Sequence, residues 1–166
     1  YLDLVLIHQA VGNYLWAYRA LEDLYKGGLV KAIGVSNMEA DRLIDLATRA
    51  NVVPAVNQIE NHVFFQQNDL LAVMKDHGIQ GEAWGPFAEG KNDLFTHPLL
   101  TEIGTAYDKS AAQVALRFLA QRGLVVIPKS THRDRMEQNL DIWDFALSED
   151  DMDRISSLDT GKSLFG

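Results

Sequence analysis

The sequence contains no cysteine, and this absence removes several kinds of chemistry at once. Disulfide bonds, metal sites with thiolate ligands and cysteine nucleophiles are excluded over the 166 residues. Chemistry based on serine, lysine or carboxylate groups stays open. The lack of cysteine does not decide in which compartment the protein works.

Long apolar runs are also absent. No run approaches the roughly 20 residues that a helix needs to cross a membrane, and no signal peptide is visible. We therefore expect a cytoplasmic protein without a membrane partner. The chain begins at Tyr1 rather than Met, so a removed leader stays open.

Basic residues are in the minority. The 15 lysines and arginines face 23 aspartates and glutamates, which gives a net charge of -8 and a pI near 5.0. Such an acidic balance argues against general binding to nucleic acid or to an anionic membrane. The histidines near His62 do not have metal-ligand spacing, so no metal site is expected.

Apolar strands alternate with amphipathic helices along the chain. This alternation is typical of βαβ units and a parallel sheet, which indicates an α/β fold. No low-complexity linker interrupts it, so we interpret residues 1–166 as a single domain. The predicted strands are Leu2–Ile7, Val30–Val35, Ala55–Glu60, Ile79–Trp84 and Leu124–Ile127.

Polar or aromatic residues lie at or just after the carboxyl ends of these strands. In a (β/α)₈ TIM barrel that rim holds the active site, commonly with a phosphate site after the last two strands. Five strands fit part of such a barrel or a small open doubly wound sheet. The chain, however, lacks the Gly-rich loop that is typical of a doubly wound sheet after its first strand. The rim residues are His8, Ser36, Asn37, Gln58, Trp84, Lys129 and Ser130.

A cationic segment follows the last predicted strand. Pro128 ends this buried strand, and Ser130 or Thr131 is expected to cap the next helix. Backbone N–H groups at a helix start attract anions, and Lys129 and Arg135 add two positive charges. The segment thus predicts a phosphate site, with an ordinary strand-to-helix turn as the alternative.

Five separated segments match one known family in order and spacing. They are Asp3–His8, Ile33–Asn37, Pro54–Glu60 with His62, Ala83–Phe87, and Ile127–Ser130 with Arg135 and Asn139. In these segments the chain resembles the C-terminal two-thirds of an aldo-keto reductase. It is most similar to small bacterial members that reduce aldehydes, ketoaldehydes or diketo-sugar acids.

The resemblance implies a TIM barrel of which this chain supplies strands four to eight, without the first three βα units. It also implies reduction of small aldehydes or ketones by direct hydride transfer from NADPH, in a complete enzyme that is a monomer. An incomplete barrel would leave its first and last strands as exposed apolar edges.

Of the catalytic Asp, Tyr, Lys and His of the family, the chain has the histidine, as His8, which would orient the substrate carbonyl. The 166 residues alone are therefore expected to be inactive. A partial barrel that binds nucleotide without catalysis is the alternative.

The resemblance also implies a set of residues for the nicotinamide end of the cofactor. Ser36, Asn37 and Gln58 would hold the carboxamide, because a hydroxyl and two amides can pair with both its N–H₂ and C=O groups. Trp84 would stack on the ring, where relatives often carry Tyr. The alternatives are a helix cap for Asn37, a polar barrel layer for Gln58 and core packing for Trp84.

The remaining implied residues bind the rest of the cofactor. Gly85 would allow the backbone to approach the pyrophosphate closely. Gln138 stands where a Glu is common, and Gln9 replaces a frequent Trp beside the histidine. The implied residues are Gly85, Pro86 and Phe87 at the pyrophosphate, Lys129, Ser130 and Arg135 at the adenosine 2′-phosphate, and Gln138 and Asn139 at the adenine.

Overall fold

The computed structural model describes residues 1–165, which form five strands and seven α-helices. The strands are β1 (Leu2–Ile7), β2 (Val30–Ser36), β3 (Val56–Glu60), β4 (Gln80–Trp84) and β5 (Val125–Val126). The helices are α1 (Tyr14–Lys26), α2 (Ala40–Arg49), α3 (Asn68–Asp76), α4 (Pro98–Tyr107), α5 (Ala111–Gln121), α6 (Arg133–Leu140) and α7 (Glu149–Ser156). Short 3₁₀ turns occupy Ala88–Thr96, broken by a kink at residues 89–93.

The strands form one sheet in the order β1-β2-β3-β4-β5. Strand β1 pairs parallel to β2 from Leu2 opposite Val30 to Ile7 opposite Val35, and β2 continues parallel to β3. The predicted α/β class with a parallel sheet is therefore confirmed. The strand order never reverses, which is the order of a barrel rather than of a doubly wound sheet.

The last strand differs from its prediction. The structure assigns β5 only two residues, and although Leu124 is buried, Val125 and Ile127 are 45% and 42% exposed. The predicted buried strand Leu124–Ile127 is thus too long and too buried. Strand β5 ends the strand order, so its outer side has no neighbouring strand among residues 1–165.

The predicted cap of α6 is wrong. The N-cap residue is His132, which makes no side-chain capping hydrogen bond. Ser130 instead closes a local turn, in which its Oγ accepts from the backbone N of His132 at 3.1 Å. A hydroxyl this far before the helix cannot reach the N2 or N3 amide that a cap must satisfy.

Two compact units make up the chain. The first contains residues 1–59 and 68–82, and its core includes Tyr18, Ile33, Leu43, Leu46 and Met74. The second contains Glu60–Gln67 and the chain from Ala83 onward, with buried Leu100, Ile103, Leu116, Phe118 and Ile155. The interpretation of residues 1–166 as a single domain stays a prediction.

A buried carboxylate organises the loop that leads into β3. Glu22 of α1 is 1% exposed and accepts four hydrogen bonds, from Arg19 Nη1, Asn51 N, Asn51 Nδ2 and Val52 N, at 2.7 to 3.0 Å. Burial raises the pKa of Glu22, but these hydrogen bonds outweigh it and lower the pKa from 4.5 to about 2. The ionised side chain therefore stabilises the fold.

We expect Glu22→Gln to lower the free energy of unfolding by about 2 to 3 kcal/mol near neutral pH, because a neutral amide cannot accept all four hydrogen bonds. The carboxylate contributes this stability fully above pH 4.5, and the contribution is lost as pH falls towards about 2. Urea unfolding of both proteins over this range measures it. Asp23→Asn, at an exposed neighbour, is the control and should change stability little. A Glu22→Gln penalty that is the same at pH 7 and pH 3 would contradict the assignment.

Candidate functional site

The first group of predicted residues meets at the carboxyl ends of β1, β2 and β3. Ser36 lies opposite Gln58, and its Oγ donates to the backbone O of Gln58 at 2.9 Å. The backbone N of Asn37 donates to the same oxygen at 2.8 Å. The Asn37 Nδ2 donates to Ser36 Oγ at 3.2 Å and to the carbonyl oxygen of His8 at 3.4 Å. One asparagine therefore connects three strand ends.

Asn37 achieves this in a left-handed backbone conformation, with φ of 54°. Asparagine tolerates that region better than most residues. It does not cap α2, whose N-cap residue is Glu39. The side chain of Asn37 is hydrogen-bonded at the strand ends, so the helix-cap alternative is wrong, while its contact with a carboxamide stays a prediction.

The side chains of this first group differ in exposure. Ser36 is 2% exposed, Gln58 is half-buried, and His8 is exposed. The hydrogen bond from Asn37 reaches the backbone carbonyl of His8 rather than its ring. The imidazole therefore faces solvent, where a small molecule can reach it.

Sequence reasoning missed one partner of this group. Glu82 of β4 accepts a hydrogen bond from Gln58 Nε2 at 2.5 Å. An acidic residue between the buried Gly81 and Ala83 was the available signal. Because it lies 24 residues from Gln58, no local pattern links the two.

In the second unit, three predicted residues form the turn after β4. Gly85 has a φ of 60°, which a residue with a side chain rarely adopts, and its carbonyl accepts from Ala88 N at 2.7 Å. Pro86 is buried in this turn. The ring of Phe87 lies 5.4 Å from that of Phe95.

Trp84 has an aromatic partner that the sequence did not predict. The ring of Phe165 lies 5.3 Å from the indole, tilted by 59°. Lys91 places its ammonium 3.9 Å from the centre of the Phe165 ring and donates to the carbonyl oxygen of Leu164. Lys91, to which sequence reasoning assigned no role, therefore helps to hold Phe165 against Trp84.

A buried glutamate anchors the segment before Phe165. Glu60 is 6% exposed, and its carboxylate accepts from Ser163 Oγ at 2.6 Å and from Leu164 N at 3.0 Å. It also lies 3.0 Å from His62 Nε2. Since Phe64 N donates to His62 Nδ1, the ring proton of His62 belongs on Nε2, towards Glu60. Burial lowers the pKa of His62, although the hydrogen bond to Glu60 opposes this.

The predicted phosphate end forms a cavity of about 480 Å³ in the second unit. Six of the predicted residues lie together in its wall: Phe87, Lys129, Ser130, Arg135, Gln138 and Asn139. The other wall residues, which sequence reasoning did not assign to the cofactor, are Phe95, Ser110, Ala112, Thr131 and His132. The combination of an aromatic wall and a cationic end suits a nucleotide.

The charges of this cavity are not neutralised by the protein. Lys129 and Arg135 are exposed, and neither forms a salt bridge with any carboxylate in the described chain. Arg133, two residues before Arg135 on α6, is by contrast paired with Glu137 at 2.9 Å. The uncapped start of α6 adds backbone N–H groups. An anion can therefore bind here without displacing an internal ion pair.

The described residues offer neither a metal-ligand group nor a membrane-spanning helix. Over residues 1–165 no three His, Asp or Glu side chains are grouped so that they could hold a metal ion. Among the helices described, none has both the length and the apolar character for a membrane crossing.

Comparison with known proteins gives a consistent family. The family model described as the Aldo/keto reductase family matches residues 1–160. The methylglyoxal reductase DkgA of Escherichia coli strain K12 is 40% identical over 167 residues, which cover 99% of this chain and 61% of the relative.

Solved structures agree with this match. MGS-M4, an aldo-keto reductase from a Medee basin deep-sea metagenome library, superposes with a TM-score of 0.97 at 44% identity, over 100% of this chain and 63% of its own. The aldo-keto reductase AKR2E4 of Bombyx mori, solved in complex with NADP, gives a TM-score of 0.93 at 32% identity, over 100% of this chain and 60% of its own.

The chain spans 56% to 61% of the length of the first curated relatives that it matches. Within that span, the family match includes every residue that forms the strand-end group and the cavity. The chain belongs to the aldo/keto reductase family.

Proposed function

We propose that this protein reduces small aldehydes or ketones to alcohols by direct hydride transfer from NADPH. The observation that carries the proposal is the cavity of about 480 Å³ with two unpaired cations, Lys129 and Arg135, in a chain of this family. Charged hydrogen-bond donors of this kind suit the 2′-phosphate, which distinguishes NADPH from NADH. The NADP complex of the Bombyx mori relative supports the choice of cofactor.

The predicted residues of the cavity and of the turn after β4 have separate proposed tasks. Lys129, Ser130 and Arg135 bind the 2′-phosphate, while Gln138 and Asn139 lie along the adenine. Gly85, Pro86 and Phe87 lie along the pyrophosphate, where Gly85 lets the backbone approach it closely. These roles are supported by the common wall that Phe87 and the residues of α6 share.

The nicotinamide would be held by the strand-end group. Ser36, Asn37 and Gln58 supply hydroxyl and amide groups for the carboxamide, and Trp84 offers an aromatic face to the ring. The hydrogen bonds among Ser36, Asn37 and Gln58 support this role, because they fix the backbone from which the polar groups extend.

His8 orients the substrate in the proposed reaction. Its exposed imidazole donates a hydrogen bond to the carbonyl oxygen while the hydride of NADPH adds to the carbonyl carbon. The oxygen then takes up a proton to complete the alcohol. The proton donor is the family's Tyr, assisted by Lys and Asp, which have no counterpart in the matched segments of this chain.

We therefore propose that strands β1 to β5 correspond to strands four to eight of a TIM barrel, and that the proton donor lies outside these 166 residues. The fraction of the relatives' length that the chain spans supports this assignment. So does the exposure of Leu2 in β1 and Val125 in β5, at the two ends of the strand order. On this view the 166 residues bind the cofactor but do not turn over substrate.

A dicarbonyl aldehyde such as methylglyoxal is the proposed substrate, on the basis of the similarity to DkgA. The intact protein should oxidise NADPH when methylglyoxal is added, as followed by the loss of NADPH absorbance. An intact protein that binds NADPH but reduces no carbonyl would favour the non-catalytic nucleotide-binding module. Failure to bind NADPH would overturn both. A monomeric state and a cytoplasmic location stay predictions.

Replacing Arg135 tests the phosphate end directly. We expect Arg135→Leu to weaken NADPH binding by about ten- to a hundredfold, because a charged hydrogen bond to phosphate is lost, with less than about a twofold effect on NADH. Titration with each cofactor while following tryptophan fluorescence measures both constants. Arg133→Leu is the matched control on the same helix, since that arginine is paired with Glu137. Equal losses for the two cofactors would contradict a 2′-phosphate site.

The hydrogen bonds of Glu60 to Ser163 and Leu164 give a second test. In Glu60→Gln, one acceptor oxygen becomes an N–H₂ group that cannot accept from Ser163 or Leu164. We expect Phe165 to leave Trp84 and the free energy of unfolding to fall by about 1 to 3 kcal/mol. Acrylamide quenching of Trp84, in a background with Trp16 and Trp143 replaced by Phe, should rise.

Ser157→Ala is the control for this anchor, because Ser157 is exposed and its Oγ donates only to the nearby carbonyl oxygen of Arg154. It should leave the quenching of Trp84 unchanged. If Glu60→Gln also leaves it unchanged, Glu60 does not hold Phe165 on the indole.

A further inference from the structure

Glu82 stands out among the charged residues because the reaction proposed above gives it no role. Its side chain is half-buried in β4, and it forms no salt bridge with any lysine or arginine in the described part of the chain. Its carboxylate lies 2.5 Å from Nε2 of Gln58. A half-buried carboxylate without a counter-ion has an energetic cost, which suggests a function beyond packing.

The chemistry of the two groups decides the orientation of the Gln58 amide. An ionised carboxylate only accepts hydrogen bonds, so the N–H₂ end of the amide must face Glu82. With a neutral partner, the amide could rotate by half a turn and exchange its oxygen and nitrogen. Glu82 therefore removes this ambiguity and turns Oε1 of Gln58 away from itself.

The backbone of Gln58 is fixed independently. Its carbonyl oxygen accepts from Ser36 Oγ at 2.9 Å and from Asn37 N at 2.8 Å. The side chain is thus held at both ends, by β2 through the backbone and by β4 through the amide nitrogen. Within residues 1–165 no donor is hydrogen-bonded to Oε1, which leaves this oxygen to accept from a ligand.

We infer that Glu82 is a positioning residue that presents Oε1 of Gln58 as an acceptor for the N–H₂ group of the nicotinamide carboxamide. The inference rests on the proposed function and deepens it. A carboxamide turned the other way would bring its own oxygen against Oε1, and two acceptors repel. Glu82 thereby favours the carboxamide orientation in which the N–H₂ group faces Oε1 of Gln58.

A cofactor analogue separates this role from simple packing. In reduced 3-acetylpyridine adenine dinucleotide phosphate, a methyl ketone replaces the carboxamide, so the analogue has no N–H₂ group to donate. We expect Glu82→Leu in the intact protein to weaken NADPH binding by roughly five- to tenfold and to change binding of the analogue by less than about twofold. Fluorescence titration measures both dissociation constants.

Three further variants extend the test, two of which complete a double-mutant cycle of Gln58 and Glu82. Gln58→Leu should show the same selective loss, and adding Glu82→Leu to it should cause no further change in the ratio of the two constants. Glu82→Gln gives Gln58 a neutral partner that can donate or accept, so the amide can rotate and the ratio should fall between those of Glu82→Leu and the unchanged protein. Thermal unfolding of each variant checks that it is folded.

The outcomes distinguish this inference from the proposed function. If Glu82→Leu weakens NADPH and the analogue to the same degree, or neither of them, Glu82 is structural and the inference is overturned. If the unchanged protein binds neither cofactor, the proposed function itself fails. If the unchanged protein binds NADPH and only the variants lose the preference for the carboxamide, both stand.

Discussion

Parallel pairing of β1, β2 and β3 is the constraint on which the candidate site depends. Parallel strands all end at the same edge of the sheet, so residues far apart in sequence become neighbours there. Ile7 pairs with Val35, and Ser36 pairs with Gln58. This register places His8, Ser36 and Gln58 side by side at the carboxyl ends of the strands. Hydrogen bonds from Ser36 and Asn37 to the carbonyl oxygen of Gln58 then fix the end of β2 against β3.

Three glutamates in the two units each hold neighbouring groups in place through a hydrogen-bonded carboxylate. Glu22 orders the loop before β3, Glu60 anchors the segment before Phe165, and Glu82 orients the amide of Gln58. Each is buried or half-buried, so each carboxylate must be satisfied by hydrogen bonds, and satisfying it immobilises the donors. In this protein buried and half-buried acids hold backbone and side chains in place, whereas the two charges proposed to bind the ligand, Lys129 and Arg135, are basic and exposed.

The surface charges differ in the same way between the protein as a whole and the cavity. The chain carries a net charge of -8, and several of its basic residues are committed to salt bridges, such as Lys109 with Asp141 and Asp144. Lys129 and Arg135 have no such partner in the described structure and share one cavity. A local positive site in an acidic protein attracts a specific anion while the overall charge discourages general polyanion binding.

The sequence by itself determined the strand and helix order, the extent of β1 and, through its motifs, most of the cavity wall, because hydrophobic period and helix signals are local. Only the tertiary structure decided that β5 is short and exposed and that Ser130 does not cap α6. It alone also revealed the pairs Gln58–Glu82 and Trp84–Phe165. These depend on which side chains meet across long sequence separations, and that information resides in packing and burial rather than in any local pattern.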